Sequence, residues 1–406
     1  MGGKKWLVGS ALVSAVVALV LILVNLTWVS LPVGYKYGMV FDAGSTHTAL
    51  FLYKWQEDKQ NSTGLVTQVM VCDVDGPGIS SYANNPPAAG QSLKVCLDTA
   101  AAAVPRENQR EAPVYLGATA GMRLLNITSP SQSDQVLAEV AKFIQLYPFD
   151  FRGARIISGD EEGAYGWVTI NYLLQSFIKC TFEGKWKLPT SAKTLGAMDL
   201  GGASTQLTFT PAVPIKDKNY ESNFTLYGNK YNVYTHSYLC YGKEQAMKKV
   251  QANLIQAFSA FFYTFDILKL TPKASLSVTL DTISKFCQKP WAQLKAEYPT
   301  EKEDRLRDYC ALGFYITTLL VDGYKFNSTS WDNIQFQKTA DYTDVGWTLG
   351  YMLNLTNLIP STSPSLVRGH GPGEWTASVI FTVFSIFLCL LAFCVQCLES
   401  RQMSSE

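Results

Sequence analysis

The sequence FDAGSTHT at residues 41–48 is matched by MDLGGASTQ at residues 198–206, and each stretch follows a short apolar run. Each glycine-rich loop also has an apolar strand candidate on either side. The strand candidates are residues 37–41 and 49–53 around the first loop, and residues 195–198 and 206–209 around the second. Two strands joined by a short glycine turn form the pattern of a β-hairpin. The sequence therefore predicts two hairpins of the same design, far apart in the chain.

The two loops have the composition of a phosphate-binding site. Glycine lets backbone amides approach anionic oxygens, and serine and threonine add hydroxyl donors. Asp42 and Asp199 open the loops and are well placed to hold a divalent cation through water, because such ions favour carboxylate oxygens and retain hydration. One Asp-x-Gly segment alone is also typical of an ordinary hairpin turn. Two matched copies favour a pair of loops that clamp a polyphosphate.

Two apolar stretches flank the polar part of the chain. Residues 6–35 contain no charged side chain, and residues 375–398 form a second uncharged run. Each is long enough to cross a hydrocarbon core of roughly 30 Å as a helix. Lys4, Lys5 and Arg401 favour cytoplasmic ends, which predicts a two-pass membrane protein with one large domain outside. A cleaved signal peptide is the alternative for the first stretch.

The part between the apolar stretches suits an oxidising compartment. It carries an even number of cysteines and no Cys-x-x-Cys pair, which favours disulfides over a zinc site. Glycosylation sequons begin at Asn61, Asn126, Asn223, Asn327 and Asn354. The formal net charge of the chain is +1 and no basic cluster is present, so no nucleic-acid partner is expected.

The same part alternates strand and helix patterns. Residues 114–116 and 155–157 read as strands, and apolar residues recur at helical spacing over 136–147. A further helix is predicted from residue 160 toward 178, and its acidic start at Asp160, Glu161 and Glu162 can be explained by capping alone. The pattern predicts a duplicated α/β unit in which each half gives one hairpin to a central cleft.

The predicted order places a cytoplasmic N-terminus at 1–5, a membrane helix at 6–30, ectodomain lobe I at 34–166, lobe II at 167–345, a return to lobe I with a linker at 346–373, a membrane helix at 375–398 and a cytoplasmic tail at 399–406.

Five segments, in order, resemble the apyrase-conserved regions of the ecto-nucleoside triphosphate diphosphohydrolases. They are DAGSTHT at 42–48, GATAGMR at 117–123, DEEGAYGW at 160–167, DLGGASTQ at 199–206 and GWTLGYMLN at 346–354. With two apolar spans, the chain resembles the cell-surface branch. The segment YPFDFRGAR at 147–155 looks closest to the type 2 enzyme, with type 8 next.

The resemblance implies an α/β fold with two lobes, similar to actin, sugar kinases and heat-shock ATPases and built from duplicated ribonuclease H-like units. It implies an enzyme at the plasma membrane, with its catalytic domain outside the cell. That enzyme would hydrolyse nucleoside triphosphates, and diphosphates more weakly or variably, with Ca²⁺ or Mg²⁺.

By the same resemblance, Glu162 is the general base that activates water, and Gln206 and Ser204 position that water. Asp42 and Asp199 organise the metal through its water shell, while Arg123 gives structural support. The implied nucleotide-binding residues are Ser45, Thr46, His47, Thr119, Gly201, Gly202, Ala203, Ser204, Lys243, Tyr263 and Arg305. Tyr263 and Arg305 match a base-stacking pair, although an aromatic run can equally place Tyr263 in a core. Trp347 is expected to pack beneath the site.

The chain departs from the family between residues 256 and 257, where family members carry several dozen more residues. Cys72 with Cys96 and Cys287 with Cys310 fit family disulfides, but the expected partner of Cys240 is missing. Cys240 then either pairs with Cys180 or both are free thiols.

The missing segment motivates a second function. A catalytically impaired isoform would act by binding, or by assembling with full-length subunits through its membrane helices. Self-association into a homo-oligomer and retention in the endoplasmic reticulum are left open. A sugar kinase of the same superfamily is a third and less favoured alternative, because the sequence carries no phosphoacceptor pocket signature.

Overall fold

The computed structural model describes residues 2–24, 27–30, 34–57, 59–180, 186–187, 189, 194–242, 260–341, 343–361, 366–370 and 372–403. The chain divides into two compact units, one of residues 35–361 and one that combines residues 1–34 with 362–406. Lys243 and the junction at 256/257 lie outside the described residues.

The secondary structure alternates strands and helices as predicted, with bounds that differ by a few residues. The helices are α1 Gly2–Val24, α2 Pro86–Ser92, α3 Lys94–Ala103, α4 Arg106–Gln109, α5 Ala120–Thr128, α6 Pro130–Ile144, α7 Gly159–Leu173, α8 Ala260–Ile267, α9 Leu276–Cys287, α10 Trp291–Glu297, α11 Glu303–Thr318, α12 Ser328–Trp331, α13 Trp347–Thr356 and α14 Pro372–Met403. The strands are β1 Thr27–Ser30, β2 Tyr35–Ala43, β3 Thr48–Gln56, β4 Thr67–Val74, β5 Pro113–Ala118, β6 Asp150–Ile156, β7 Lys179–Cys180, β8 Trp186–Lys187, β9 Ala197–Leu200, β10 Ser204–Phe209, β11 Glu221–Leu226, β12 Asn229–Leu239, β13 Thr339–Ala340, β14 Thr343–Asp344 and β15 Leu366–Gly369.

The first large sheet has five strands in the order β4-β3-β2-β5-β6. Strands β2 and β3 form the first predicted hairpin, and β2 pairs in parallel with β5 on its other side. Successive side chains of β2 point to opposite faces, so Met39 and Phe41 pack with α3 and α6 while Val40 packs toward the centre of the protein. Both faces are therefore buried, which explains the nearly continuous apolar sequence of this strand.

The second large sheet has four antiparallel strands in the order β11-β12-β10-β9. Strands β9 and β10 form the second predicted hairpin. In the described part of the chain, this sheet has no counterpart of the parallel strands β5 and β6. The predicted duplication is thus present in the hairpins but incomplete in the sheets.

Helices α7 and α13 pack against each other and join the cores of the two sheets. One buried cluster contains Val40 and Tyr53 from the first sheet and Val233 from the second, together with residues of both helices. Tyr53 Oη and Thr348 Oγ1 are hydrogen-bonded at 2.8 Å and tie β3 to α13. Helix α7 therefore crosses the predicted lobe boundary at 166/167 and is shared by both lobes.

The crossing of α7 and α13 is unusually close. The Gly350 backbone N–H donates to Thr169 Oγ1 at 2.7 Å. A Cβ atom added to Gly350 would lie 2.0 Å from the backbone oxygen of Tyr165. Only glycine fits at this contact, because a backbone atom cannot move aside as a flexible side chain can.

The unit formed by the chain ends contains α1 and α14, which pack along each other. Ser14 Oγ donates to the Phe381 carbonyl at 2.8 Å, and Ser385 Oγ donates to the Ala11 carbonyl at 3.0 Å. Among the described residues, one helical stretch, Trp375–Val395, is long and apolar enough to span a membrane, while Val8–Leu23 is shorter. The first membrane span stays a prediction.

The disulfides predicted from the resemblance are present as Cys72–Cys96 and Cys287–Cys310. Cys240 is a free thiol, so the alternative pairing of Cys180 with Cys240 is not formed. Four of the sequon asparagines are exposed, namely Asn61, Asn126, Asn223 and Asn327. Asn354 is half-buried.

We expect Gly350→Ala to lower the free energy of unfolding by about 1–3 kcal/mol, because the added methyl group forces α7 and α13 apart. The measurement is the thermal unfolding temperature of the purified chain. Gly346→Ala is the matched control, since a Cβ at Gly346 meets nothing within 4 Å. Equal unfolding temperatures for the two variants would contradict the close helix crossing.

Candidate active site

The two predicted loops have the same construction. In the first hairpin Ala43 pairs with Thr48, and in the second Leu200 pairs with Thr205, so each pair of strands is closed by a four-residue loop. Asp42 and Asp199 each lie two residues before the first residue of their loop. The matched register gives the two halves equivalent turns, each with one carboxylate at its base.

The first loop, residues 44–47, is held by neighbouring turns. The Gly78 N–H donates to the Thr46 carbonyl at 3.1 Å, and Thr46 Oγ1 lies 3.1 Å from His47 Nδ1. The Thr119 N–H donates to the Ala43 carbonyl at 3.0 Å, which fixes the start of α5 beside the loop. The predicted residues Thr46, His47 and Thr119 are therefore brought to one place in the fold.

The second loop, residues 201–204, is held by the segment that follows β12. The Cys240 N–H donates to the Ala203 carbonyl at 2.9 Å. A Cβ atom on Gly242 would lie only 2.2 Å from the Ser204 backbone nitrogen, so glycine is needed where this segment passes the loop. Ala203 and Ser204 are buried, whereas Gly201 and Gly202 are partly exposed.

The acidic triplet at the start of α7 divides into two roles. Glu161 forms a capping box with Ser158, and its carboxylate also accepts from Arg155 at 2.7 and 3.0 Å. Glu162, the next residue, is buried with 5% of its surface exposed. Adjacent residues of a helix point in different directions, so Glu161 and Glu162 have different surroundings. Glu161 caps the helix, whereas Glu162 faces the interior.

Glu162 is the centre of a polar network that joins both lobes. Its Oε2 accepts from Arg123 Nη2 and from Gln206 Nε2, the latter at 2.9 Å. Ser204 Oγ accepts from Gln206 Nε2 at 2.8 Å and from Arg123 Nη2 at 3.2 Å. The three residues predicted to activate and position water thus contact one another directly.

Two further residues belong to this network. Arg123, which was expected to give structural support, makes an ion pair with Glu162. Ser237 Oγ lies 3.1 Å from Gln206 Nε2 and was not singled out at all. Its only signal was polar residues alternating along β12, where Thr235 and Ser237 share the face toward α7.

The site concentrates buried negative charge. Burial raises the pKa of Glu162 to about 8, and Arg123 offsets this only in part. Burial also raises the pKa of Asp42 to about 7 and the pKa of Asp199 above its usual value. Asp199 further raises the pKa of both other carboxyls, so the three groups act on one another electrostatically.

The five motif segments and the network agree with the comparison to known families. A sequence profile of the GDA1/CD39 (nucleoside phosphatase) family matches residues 30–260 and 255–367. The chain belongs to this family.

The chain is also similar to curated members of the family. It is 44% identical over 473 residues to ectonucleoside triphosphate diphosphohydrolase 8 of Gallus gallus, covering 95% of this chain and 96% of the relative. It is 41% identical over 448 residues to ectonucleoside triphosphate diphosphohydrolase 2 of Homo sapiens, covering 89% and 90%. The predicted resemblance to types 2 and 8 is confirmed.

The alignment with the chicken relative also confirms that a segment is missing. Ninety-five per cent of this 406-residue chain is about 386 residues, so about 87 of the 473 aligned positions have no residue here. The family profile matches in two pieces that meet at residues 255–260, which places the break there.

Among solved structures, the Aquifex aeolicus member of the Ppx/GppA protein family matches with a TM-score of 0.46 at 12% identity. The match covers 81% of this chain and 100% of that chain.

The carboxylates of this GDA1/CD39 family member fit a divalent cation. Asp42 Oδ1 is buried and has no hydrogen-bond partner among the described residues. In the described part of the chain, no three His, Cys, Asp or Glu side chains form a direct ligand cluster. Asp42 and Asp199 therefore suit an ion that keeps part of its water shell.

The two described residues expected to bind the base lie on α8 and α11, which pack against each other. Tyr263 on α8 is 47% exposed, which argues against core packing for its ring, and Phe262 lies beside it. Arg305 on α11 lies 4.0 Å from Glu301. Trp347 is buried with 2% exposure, which confirms the expected packing role.

We expect Ca²⁺ or Mg²⁺ to raise the unfolding temperature more at pH 8 than at pH 5. The folded-state pKa values of Asp42 and Glu162 are raised, so without a cation stability is lost as pH rises from the usual carboxyl pKa toward 8. A cation favours the ionised carboxylates and offsets that loss. The measurement is thermal unfolding with and without chelator at both pH values.

The control for this prediction is the double variant Asp42→Asn with Asp199→Asn, which should lose the cation-dependent rise. A rise of the same size at both pH values, or in the double variant, would show that the ion binds elsewhere.

Proposed function

We propose that this chain hydrolyses the terminal phosphate of nucleoside triphosphates, and more weakly that of diphosphates, in a reaction that depends on Ca²⁺ or Mg²⁺. The observation that carries the proposal is the direct contact of Glu162 with Gln206 beside two matched glycine loops. Hydrolysis needs a positioned water, a general base and donors for the phosphate oxygens. In this proposal Gln206 positions the water, Glu162 is the base, and the two loops supply the donors.

The phosphate chain would lie between the two loops. Backbone amides of residues 44–47 and 201–204 donate to its oxygens, and hydroxyls of Ser45, Thr46 and Ser204 add further donors. Thr119 lies beside the first loop and extends this set. Two loops from different lobes hold both ends of the polyphosphate, so the terminal phosphorus is fixed relative to the base.

Glu162 is the general base in this proposal. Gln206 and Ser204 hold the attacking water near Glu162 Oε2, and the carboxylate takes its proton as the water oxygen bonds to the terminal phosphorus. The bridging phosphorus–oxygen bond breaks, which releases phosphate and leaves the shortened nucleotide. A buried carboxylate is a stronger base than an exposed one, which suits this task.

Asp42 and Asp199 would hold the divalent cation through its water shell. When bound, the ion neutralises charge on the phosphate oxygens and favours the leaving group. Arg123 keeps the Glu162 carboxylate oriented and offsets part of the rise in its pKa that burial causes.

The two-lobed frame is proposed to be of the actin, sugar-kinase and heat-shock ATPase type, with ribonuclease H-like halves. The catalytic domain is proposed to lie outside the plasma membrane between two membrane helices, which agrees with the exposed sequons. The base of the nucleotide would stack on Tyr263, with Arg305 and Lys243 as basic neighbours in the closed cleft.

The second candidate is the impaired isoform that binds nucleotide or assembles with full-length subunits. The observation that favours it is the incomplete second sheet, which has no described counterpart of β5 and β6. The intact network around Glu162 favours hydrolysis over a purely binding role.

We expect Glu162→Gln to lower the rate of phosphate release from ATP at least about a hundredfold, because general-base catalysis is lost. The measurement is phosphate release from external ATP and ADP by cells that express the chain, with surface expression checked. Glu161→Gln is the matched control and should keep most activity, since Glu161 caps the helix and does not contact Gln206.

Equal activity of Glu162→Gln and Glu161→Gln would contradict the assignment of the base. Absence of release from the unsubstituted chain at the cell surface would favour the second candidate function.

We expect Tyr263→Ala to raise KM about tenfold with a smaller change in kcat, because base stacking contributes about 1–3 kcal/mol. Tyr263→Phe keeps the ring and should retain the KM of the unsubstituted chain. The measurement is initial rate against ATP concentration. A KM that is unchanged in Tyr263→Ala would remove Tyr263 from the nucleotide site.

A further inference from the structure

Ser237 lies in one row with two residues of the proposed site. In the second sheet, Gln206 on β10 pairs with Asp199 on β9 and with Ser237 on β12. Side chains of directly paired residues point to the same face of a sheet, and neighbouring strands are about 4.8 Å apart. The register therefore places a hydroxyl on one side of the amide that is proposed to hold water, and the carboxylate that is proposed to hold the cation on the other side.

The amide of Gln206 has more oxygen neighbours than hydrogens. Its Nε2 lies 2.8 Å from Ser204 Oγ, 2.9 Å from Glu162 Oε2 and 3.1 Å from Ser237 Oγ. A side-chain amide carries two N–H groups, so one of these three oxygens receives no hydrogen from it at any moment.

Ser237 is the oxygen that is left over. Glu162 is the strongest acceptor of the three, because a hydrogen bond to an ionised oxygen is roughly twice as strong as a neutral one. Ser204 Oγ has the shortest contact with the amide and also accepts from Arg123 Nη2 at 3.2 Å. Ser237 Oγ has the longest contact, and its hydroxyl hydrogen has no acceptor among the residues that the structure describes. Ser237 therefore keeps a donor and an acceptor for a further ligand.

Gln206 also keeps an acceptor for a further ligand. Its Oε1 is buried, and no described residue donates a hydrogen bond to it. A buried oxygen without a donor costs free energy, so a bound water that donates to Oε1 is favoured. Together with the Glu162 carboxylate, this oxygen can accept both hydrogens of one water. The oxygen of that water is then free to accept a hydrogen bond.

The distances allow one water to bind Glu162 and Ser237 together. Glu162 Oε2 and Ser237 Oγ lie 2.9 and 3.1 Å from the same nitrogen of Gln206, so they are at most about 6 Å apart. Two hydrogen bonds of up to about 3.0 Å through one water span that distance.

Gly159 keeps the space beside Ser237 open. A Cβ atom at Gly159 would lie 2.0 Å from Ser237 Oγ and 2.3 Å from Arg123 Nη1. Gly159 is also the first residue of α7, the helix that carries Glu162. The lack of a side chain at Gly159 therefore lets Arg123 of α5 and Ser237 of β12 meet at the start of this helix.

The neighbouring hydroxyl on the same face of β12 is used differently. Thr235 is buried, with 1% of its surface exposed, whereas Ser237 is half-buried. Thr235 Oγ1 donates to the Asp160 carbonyl at 3.2 Å and lies 2.8 Å from Thr208 Oγ1. The hydroxyl of Thr235 thus serves packing between β12 and α7, and the hydroxyl of Ser237 does not.

We propose that Ser237 is a catalytic residue whose hydroxyl donates a hydrogen bond to the oxygen of the attacking water, an inference that rests on the proposed hydrolysis. One hydrogen of the water points to Glu162 and the other to Gln206 Oε1. One lone pair of the water accepts from Ser237, and the other is directed at the terminal phosphorus. As the new oxygen–phosphorus bond forms, one proton passes to Glu162, the bridging phosphorus–oxygen bond breaks, and Ser237 keeps its proton.

The test compares variants of the purified full chain in detergent. Ser237→Ala should lower kcat for ATP about tenfold and leave KM within about twofold, because the hydroxyl contacts water and not the nucleotide. Ser237→Thr retains a hydroxyl and should recover most of the lost kcat. Thr235→Val is the matched control, which removes a hydroxyl from the same face and should lower the unfolding temperature while keeping kcat.

A second measurement needs no turnover. ADP with Mg²⁺ and aluminium fluoride imitates the transferring phosphoryl group together with its in-line water, and such analogues bind through contacts made in the transition state. Ser237→Ala should weaken binding of this complex about tenfold and binding of ADP alone by less than about twofold.

Three results would overturn the proposal. Ser237→Ala could keep kcat and the affinity for the aluminium fluoride complex. Thr235→Val could lose as much kcat as Ser237→Ala, which would trace the loss to loosened packing against α7. KM could rise with kcat unchanged, which would place Ser237 against the nucleotide.

Failure of the proposed function has a different signature. Glu162→Gln would then release phosphate as fast as the unsubstituted chain, whatever the result for Ser237→Ala. If hydrolysis is absent, the affinity for the aluminium fluoride complex still decides whether Ser237 holds the in-line water.

Discussion

The close crossing of α7 and α13 is the contact on which the rest of the structure depends. Gly350 against Tyr165 lets the two helices approach, and the bond from Gly350 to Thr169 fixes their register. The same helix pair fills the space between the two sheets and carries Glu162 on its first turn. The position of Glu162 is therefore set by packing that lies well away from its carboxylate.

That packing also explains how the fold tolerates buried carboxyl groups that lower its stability when they ionise. Glu162, Asp42 and Asp199 are placed in surroundings that raise the pKa of each, with Arg123 as the cation paired to Glu162. Arg123 compensates part of the cost of burying these groups, and the apolar contacts of the two lobes offset the remainder. A bound cation would compensate the negative charge of these carboxylates and of a phosphate chain.

The sequence predicted local features well and distant ones poorly. Both hairpins were identified because a glycine turn between apolar runs is encoded within about ten residues. The residue types alone did not separate Glu161 from Glu162, because both suit a first helical turn. The family resemblance singled out Glu162, and burial separates the two residues in the fold. The ion pair of Arg123 with Glu162 joins two elements that only the fold brings together. Ser237 lies on β12, and its contact with Gln206 was not visible before the chain was folded.

The position of α13 near the end of the unit of residues 35–361 has a consequence for the order of assembly. Thr348 bonds to Tyr53, and residues of α13 complete the buried cluster that contains Val40. The first lobe cannot close its core until a helix almost three hundred residues downstream has been synthesised. During translation, the core-facing side of the early hairpin therefore stays uncovered until α13 has left the ribosome.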